Sequence, residues 1–115
     1  MNIQPHVVFR GLHSTPALTA RIDEELGQLE ELFDGIISCH VAVEILNHRH
    51  RSGRHVHVRV ELVVPGKTLV VGREPVDHQD HQDPMTAINE AFPIMQRQLR
   101  EFERERHGHH RATSY

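Results

Sequence analysis

Residues 56–71 read Val56-His57-Val58-Arg59-Val60-Glu61-Leu62-Val63-Val64-Pro65-Gly66-Lys67-Thr68-Leu69-Val70-Val71, and this stretch decides the fold. Val56, Val58, Val60 and Leu62 alternate with His57, Arg59 and Glu61, the period-two pattern of a strand with one buried face. Pro65-Gly66 makes a tight turn, because proline presets φ at its first central position and glycine accepts the positive φ of the next. Folding about that turn sets Leu69 against Leu62 and Val71 against Val60, all on the apolar side. Upstream, Cys39, Val41, Val43 and Ile45 alternate in the same way. With Ser52-Gly53 as a two-residue hairpin turn, Ile45 faces Val60 and Val43 faces Leu62, again on one side. The pattern also admits a longer loop. A three-stranded antiparallel meander follows.

The period changes on either side of this meander. Val7-Val8-Phe9, between Pro5 and Gly11, reads as a short first strand. Thr15-Pro16 offers an N-cap and a first-turn proline, and Leu18, Ile22, Leu26, Leu29 and Phe33 then recur at helical spacing until Asp34-Gly35. The outer face of this helix carries Asp23, Glu24, Glu25, Glu30 and Glu31, a surface that a phosphate backbone would avoid. After the meander, Val76-Asp77-His78-Gln79-Asp80-His81-Gln82-Asp83 has no period and reads as an acidic loop. Asp83-Pro84 then starts a second helix with one apolar stripe of Met85, Ile88, Phe92, Met95, Leu99 and Phe102. Pro93 inside it removes a backbone donor and predicts a kink, at a cost of about 3 kcal/mol if the helix stays straight. Beyond Glu105 the chain reads as frayed, so the expected division is a domain over 1–106 and a flexible His-rich tail over 107–115. The element order β-α-β-β-β-α, with one apolar sheet face and two amphipathic helices to cover it, predicts an α+β two-layer sandwich.

Composition bounds the function. The 115 residues carry 13 basic and 16 acidic side chains, a net charge of −3, with 12 histidines and one cysteine. A disulfide framework is excluded by that single cysteine. No apolar run approaches the roughly 18 residues that span a bilayer, and the first residues lack the pattern of a secretory signal, so the expected compartment is the cytoplasm with no membrane partner. Charge is segregated: residues 1–47 sum to −5, 48–73 to +5, 74–90 to −5 and 91–115 to +2. Two basic segments in a chain without global basic balance still admit binding to a polyanion.

Three pieces of sequence, in order, resemble one family: the ribosome hibernation promoting factors and ribosome-associated inhibitors, also known as sigma-54 modulation or ribosomal subunit interface proteins. They are Leu29-Glu30-Glu31-Leu32-Phe33-Asp34-Gly35-Ile36, the strand Val58–Gly66, and Met85-Thr86-Ala87-Ile88-Asn89 with Arg97-Gln98-Leu99, within a resemblance covering roughly residues 1–106. The resemblance implies a four-stranded sheet with two helices on one face, shaped like a double-stranded RNA-binding domain. It also implies a non-enzymatic stress factor without a cofactor, which occupies the mRNA/tRNA channel of the small ribosomal subunit, contacts its rRNA and inhibits translation. Longer members add a C-terminal dimerisation domain, and the chain reads as the short form. The family is usually Lys-rich and net basic, whereas here Lys67 is the one lysine.

The residues that would carry the contact follow. Arg97, Arg100 and Arg104 fall at i, i+3 and i+7 on the solvent side of the second helix, and the resemblance adds Arg106 as a matching position. The ordinary alternative is a solvated face on which Glu101, Glu103 and Glu105 pair with them. The segment His48-Arg49-His50-Arg51-Ser52-Gly53-Arg54-His55 brings Arg49, Arg51 and Arg54 to a hairpin tip, where they would clamp phosphates or simply keep the tip soluble. In the Ser52-Gly53 register His48 faces His57 and His50 faces His55, four imidazoles that could take Zn²⁺, Ni²⁺ or Cu²⁺; alternating His on an exposed face is more often mere polar patterning. Catalysis finds no support, since Cys39 and His40 are adjacent on a strand and point to opposite faces. The competing function is a regulatory protein-binding or metal-binding module that kept the fold without the ribosome. A homodimer through an uncovered sheet face or edge stays open.

Overall fold

The structure is a computed structural model that describes residues 4–46, 55–72 and 83–113. Its elements are β1 (His6–Arg10), α1 (Pro16–Leu32), β2 (Ser38–Leu46), β3 (His55–Val64), β4 (Lys67–Val71) and α2 (Pro84–Thr113). The strands form one sheet in the order β1-β2-β3-β4, with β1 parallel to β2 and the other pairs antiparallel. A parallel neighbour needs a crossover, which α1 supplies.

Local chemistry sets the ends of the elements. The Leu18 N–H donates to the Thr15 hydroxyl at 3.2 Å and Pro16 opens α1, as its sequence predicts. Asp83 does the same for α2, accepting from the Met85 N–H at 3.3 Å and the Thr86 hydroxyl at 2.9 Å. Gly66 takes φ +85° after Pro65, so Val64 and Lys67 close a type II turn and the predicted β3–β4 register forms, with Leu62 opposite Leu69 and Val60 opposite Val71.

The β2–β3 register differs from the expected one. Ile45 faces Val56, Val43 faces Val58, Val41 faces Val60 and Cys39 faces Leu62, so each partner lies four residues from the one that a Ser52-Gly53 turn requires. An even slip leaves every side chain on its own face, which is why the apolar alternation is satisfied either way. Cys39, Val41, Val43, Val56, Val58, Val60, Leu62, Val64, Leu69 and Val71 are all buried on one side of the sheet.

Both helices cover that side. Leu18, Ile22, Leu26 and Leu29 of α1 and Ile88, Phe92, Met95, Leu99 and Phe102 of α2 join the strand residues in one core. The helices run side by side in the same direction, tied at three levels: Arg21 Nε donates to Asn89 Oδ1 at 2.7 Å, Gln96 Nε2 donates to Gln28 Oε1 at 2.9 Å, and the Phe33 and Phe102 rings meet edge to face at 5.4 Å. Glu25, expected on the acidic outer face, is instead only 3% exposed within this seam. Arg21 Nη2 sits 2.9 Å from its carboxylate and Gln96 Nε2 donates to it at 3.4 Å, which compensates the charge where water is excluded. α2 continues on both sides of Pro93, which lies on its exposed side, where the carbonyl left without a partner can reach water. It also runs past Glu105 to Thr113, so the stretch expected to fray continues as helix.

Candidate nucleic-acid interface

At 100° per residue, Arg97, Arg100 and Arg104 fall within an arc of about 60° on α2, spread over about 10 Å of its length. All three are exposed, while Phe92, Met95 and Leu99 turn the opposite side of the helix into the core. The carboxylates interleaved with them make no ion pair with them. Glu103 is engaged with His107, at 2.6 Å, and among the described residues none of the three arginines is in an ion pair. Three side chains with full positive charge and long reach are thus presented along one line of a rigid element.

Arg106 is not part of that line. Nine residues beyond Arg97 is half a turn out of phase, and its guanidinium lies over the Phe33 ring at 5.4 Å and the Phe102 ring at 5.9 Å. It clamps the end of α1 to α2. Helical phase alone separates Arg106 from the other three, a signal already present in the sequence. Arg49, Arg51 and Arg54, with His48 and His50, lie outside the described residues. Leu46 and His55, the described residues on either side of them, face each other at the end of the sheet where β1 stops.

The four-imidazole arrangement is not formed in this register. His57 faces Glu44 and His55 faces Leu46, and His57 Nε2 lies 2.8 Å from the Gly72 carbonyl, to which its N–H donates. Among the described residues no group of three or more His, Cys, Asp or Glu gathers as a metal site. Cys39 is a core residue, 1% exposed, and burial pushes its thiol up to about 12, far from a reactive thiolate. No helix among the described residues is long and apolar enough to cross a membrane.

An open groove of about 1050 Å³ lies between the end of α1, the Pro65-Gly66 turn and the last third of α2. Glu30, Glu31, Asp34, Glu103 and Glu105 line it together with Lys67, Arg106 and His107, an excess of acid that disfavours a polyanion there.

The model of one protein family, described as Sigma 54 modulation protein / S30EA ribosomal protein, matches residues 6–107. A ribosome hibernation promotion factor of Deinococcus radiodurans is 28% identical over 93 residues, which are 81% of this chain and 45% of that protein, so the chain spans about half the length of this relative. Among solved structures, the N-terminal domain of Thermus thermophilus Protein Y superposes with a TM-score of 0.64 at 22% identity, over 89% of this chain and 99% of that one. A ribosomal subunit interface protein from Coxiella burnetii reaches a TM-score of 0.67 at 18% identity, over 90% and 98%. These two show the shared fold, the four-stranded sheet with two helices on one side. With nearly its whole length matched by one family model, and with that family's fold, the chain belongs to the Sigma 54 modulation protein / S30EA ribosomal protein family.

Proposed function

We propose that the chain binds the small ribosomal subunit through rRNA, occupies the mRNA/tRNA channel and inhibits translation as a hibernation factor of the cytoplasm. It acts by occupancy, without a chemical step. One observation carries the reading: in a member of a ribosomal family, α2 presents Arg97, Arg100 and Arg104 in line, exposed and without ion-pair partners among the described residues. Such a line matches the successive phosphates of an RNA backbone, and contacts of this kind position a protein without reading sequence. The names of its relatives, a hibernation promotion factor and a subunit interface protein, agree with this. Arg49, Arg51 and Arg54 are assigned to the same RNA as a second, hairpin-borne contact.

The test is co-sedimentation of the purified chain with small subunits and whole ribosomes at about 50 and about 200 mM salt, where counterion release makes phosphate contacts salt-sensitive. Saturable binding that weakens at the higher salt and is competed by tRNA supports the reading. Absence of binding at both salts would overturn it and move the function to a protein partner.

A further inference from the structure

Both helices pack on one face of the sheet, and the registers define what the other face displays. Along β1 stand His6, Val8 and Arg10; beside them on β2 stand His40, Ala42 and Glu44; and on β3 stand Glu61, Arg59 and His57. His6, Val8, Arg10, His40 and Arg59 are exposed, Val8 at 41%, high for a valine in a sheet. The His6 and His40 rings are stacked, with centroids 5.0 Å apart and planes within 13° of parallel. This separation is close to the spacing of neighbouring strands, so the two rings form a column standing on the sheet and running across it. β1 is an edge strand, so the face of His6 turned away from His40 looks past that edge of the sheet.

We propose that this open face is a further RNA-contacting surface, where an unpaired base stacks on the His6–His40 column and Arg10 and Arg59 hold the flanking phosphates. The identity of the RNA as ribosomal rests on the reading above; the surface itself does not. A base is a flat π-system, and stacking on an aromatic platform is the common way in which proteins hold single-stranded nucleic acid. The platform is already assembled, so little freedom is lost when a third ring joins. Val8, one step along β1, continues it with apolar surface. Arg59 is held by Glu61 through one Nη2 contact of 3.1 Å, which fixes its direction and leaves the rest of its donor fork for phosphate. This surface lies on the opposite layer from Arg97, Arg100 and Arg104, so the two contacts are separable by mutation.

The experiment titrates the full chain against a fluorescein-labelled, unstructured 12-nucleotide RNA by fluorescence anisotropy at about 50 mM salt, for wild type, His6→Ala with His40→Ala, His6→Tyr with His40→Tyr, Arg59→Ala, and Arg97→Ala with Arg100→Ala and Arg104→Ala. The alanine pair is expected to weaken binding about tenfold and the tyrosine pair, which keeps the rings, to restore it. Arg59→Ala is expected to weaken binding several-fold, and melting temperatures should match wild type because every altered side chain is exposed. Full binding by the alanine pair, no recovery with tyrosine, or no measurable binding of the oligonucleotide by wild type would each overturn the proposal. The same variants sedimented with small subunits separate the two readings: failure of wild type to sediment removes the ribosome, whereas ring-dependent oligonucleotide binding stands or falls on its own.

Discussion

Replacing Arg97, Arg100 and Arg104 together by alanine removes three full charges from one line of α2 without touching the core, since all three side chains are exposed. If each neutralises one phosphate, each contributes about 0.7 to 0.9 to the slope of log affinity against log salt, so the triple variant should be shallower by about 2 to 3. Over a fourfold rise in salt, from about 50 to about 200 mM, those three contacts alone account for a loss of about 20- to 40-fold in wild-type affinity that the variant should not show. The assay is a titration of small subunits at three or more salt concentrations, with wild type and variant compared as slopes rather than as single affinities. Stability should change by no more than about 0.5 kcal/mol, the usual range for such surface positions, so a slope change cannot be ascribed to unfolding. Parallel salt lines for the two proteins would refute the assignment of these arginines to phosphates, even if both bind tightly.

Arg106→Ala should leave that slope unchanged and instead lower stability by about 1 kcal/mol in urea unfolding, because its guanidinium lies over Phe33 and Phe102; a slope reduced by about one would show that it reaches phosphate after all. Gly72→Ala and Gly66→Ala form a contrasting pair, since both glycines have positive φ, +74° and +85°, but only at Gly72 would the new Cβ meet the Val58 carbonyl oxygen, at 2.2 Å. Gly66→Ala should cost about 1 kcal/mol and Gly72→Ala at least about 3, and equal unfolding midpoints would contradict the close approach. Cys39 should make stability pH-dependent in one window. Burial raises its folded-state value from 9.0 to about 12, so its contribution is complete below about pH 9 and is lost as the pH climbs toward 12. The unfolding midpoint of wild type relative to Cys39→Ala should therefore fall between pH 8 and pH 10.5, by a difference that a pH-independent gap would rule out.

Much of this architecture was legible one residue at a time. Thr15-Pro16 and Asp83-Pro84 mark the helix starts because their chemistry is local: a side-chain oxygen for an orphan N–H and a proline where no donor is needed. Pro65-Gly66 specifies one turn type, and with it the whole β3–β4 register. The valine alternation names the buried face of each strand. Of the candidate site, the phase of Arg97, Arg100 and Arg104 on α2 follows from their spacing, and so does the half-turn offset that sets Arg106 apart from them.

The remainder needed the tertiary structure, for reasons that can be stated. A period of two fixes faces but not slides, so the chain could not choose between β2–β3 registers an even number of residues apart, and the imidazole quartet depended on the register that did not form. Glu25 looks like one more acid on a solvated face until α2 lies against it and brings Gln96 to its carboxylate. The His6–His40 column joins residues 34 positions apart in sequence, placed side by side only because α1 carries the chain back to set β1 parallel to β2. Local propensity and patterning thus determined which elements exist and which way they face. Packing decided which residues of different elements meet, because that choice is made by contacts whose partners are distant along the chain.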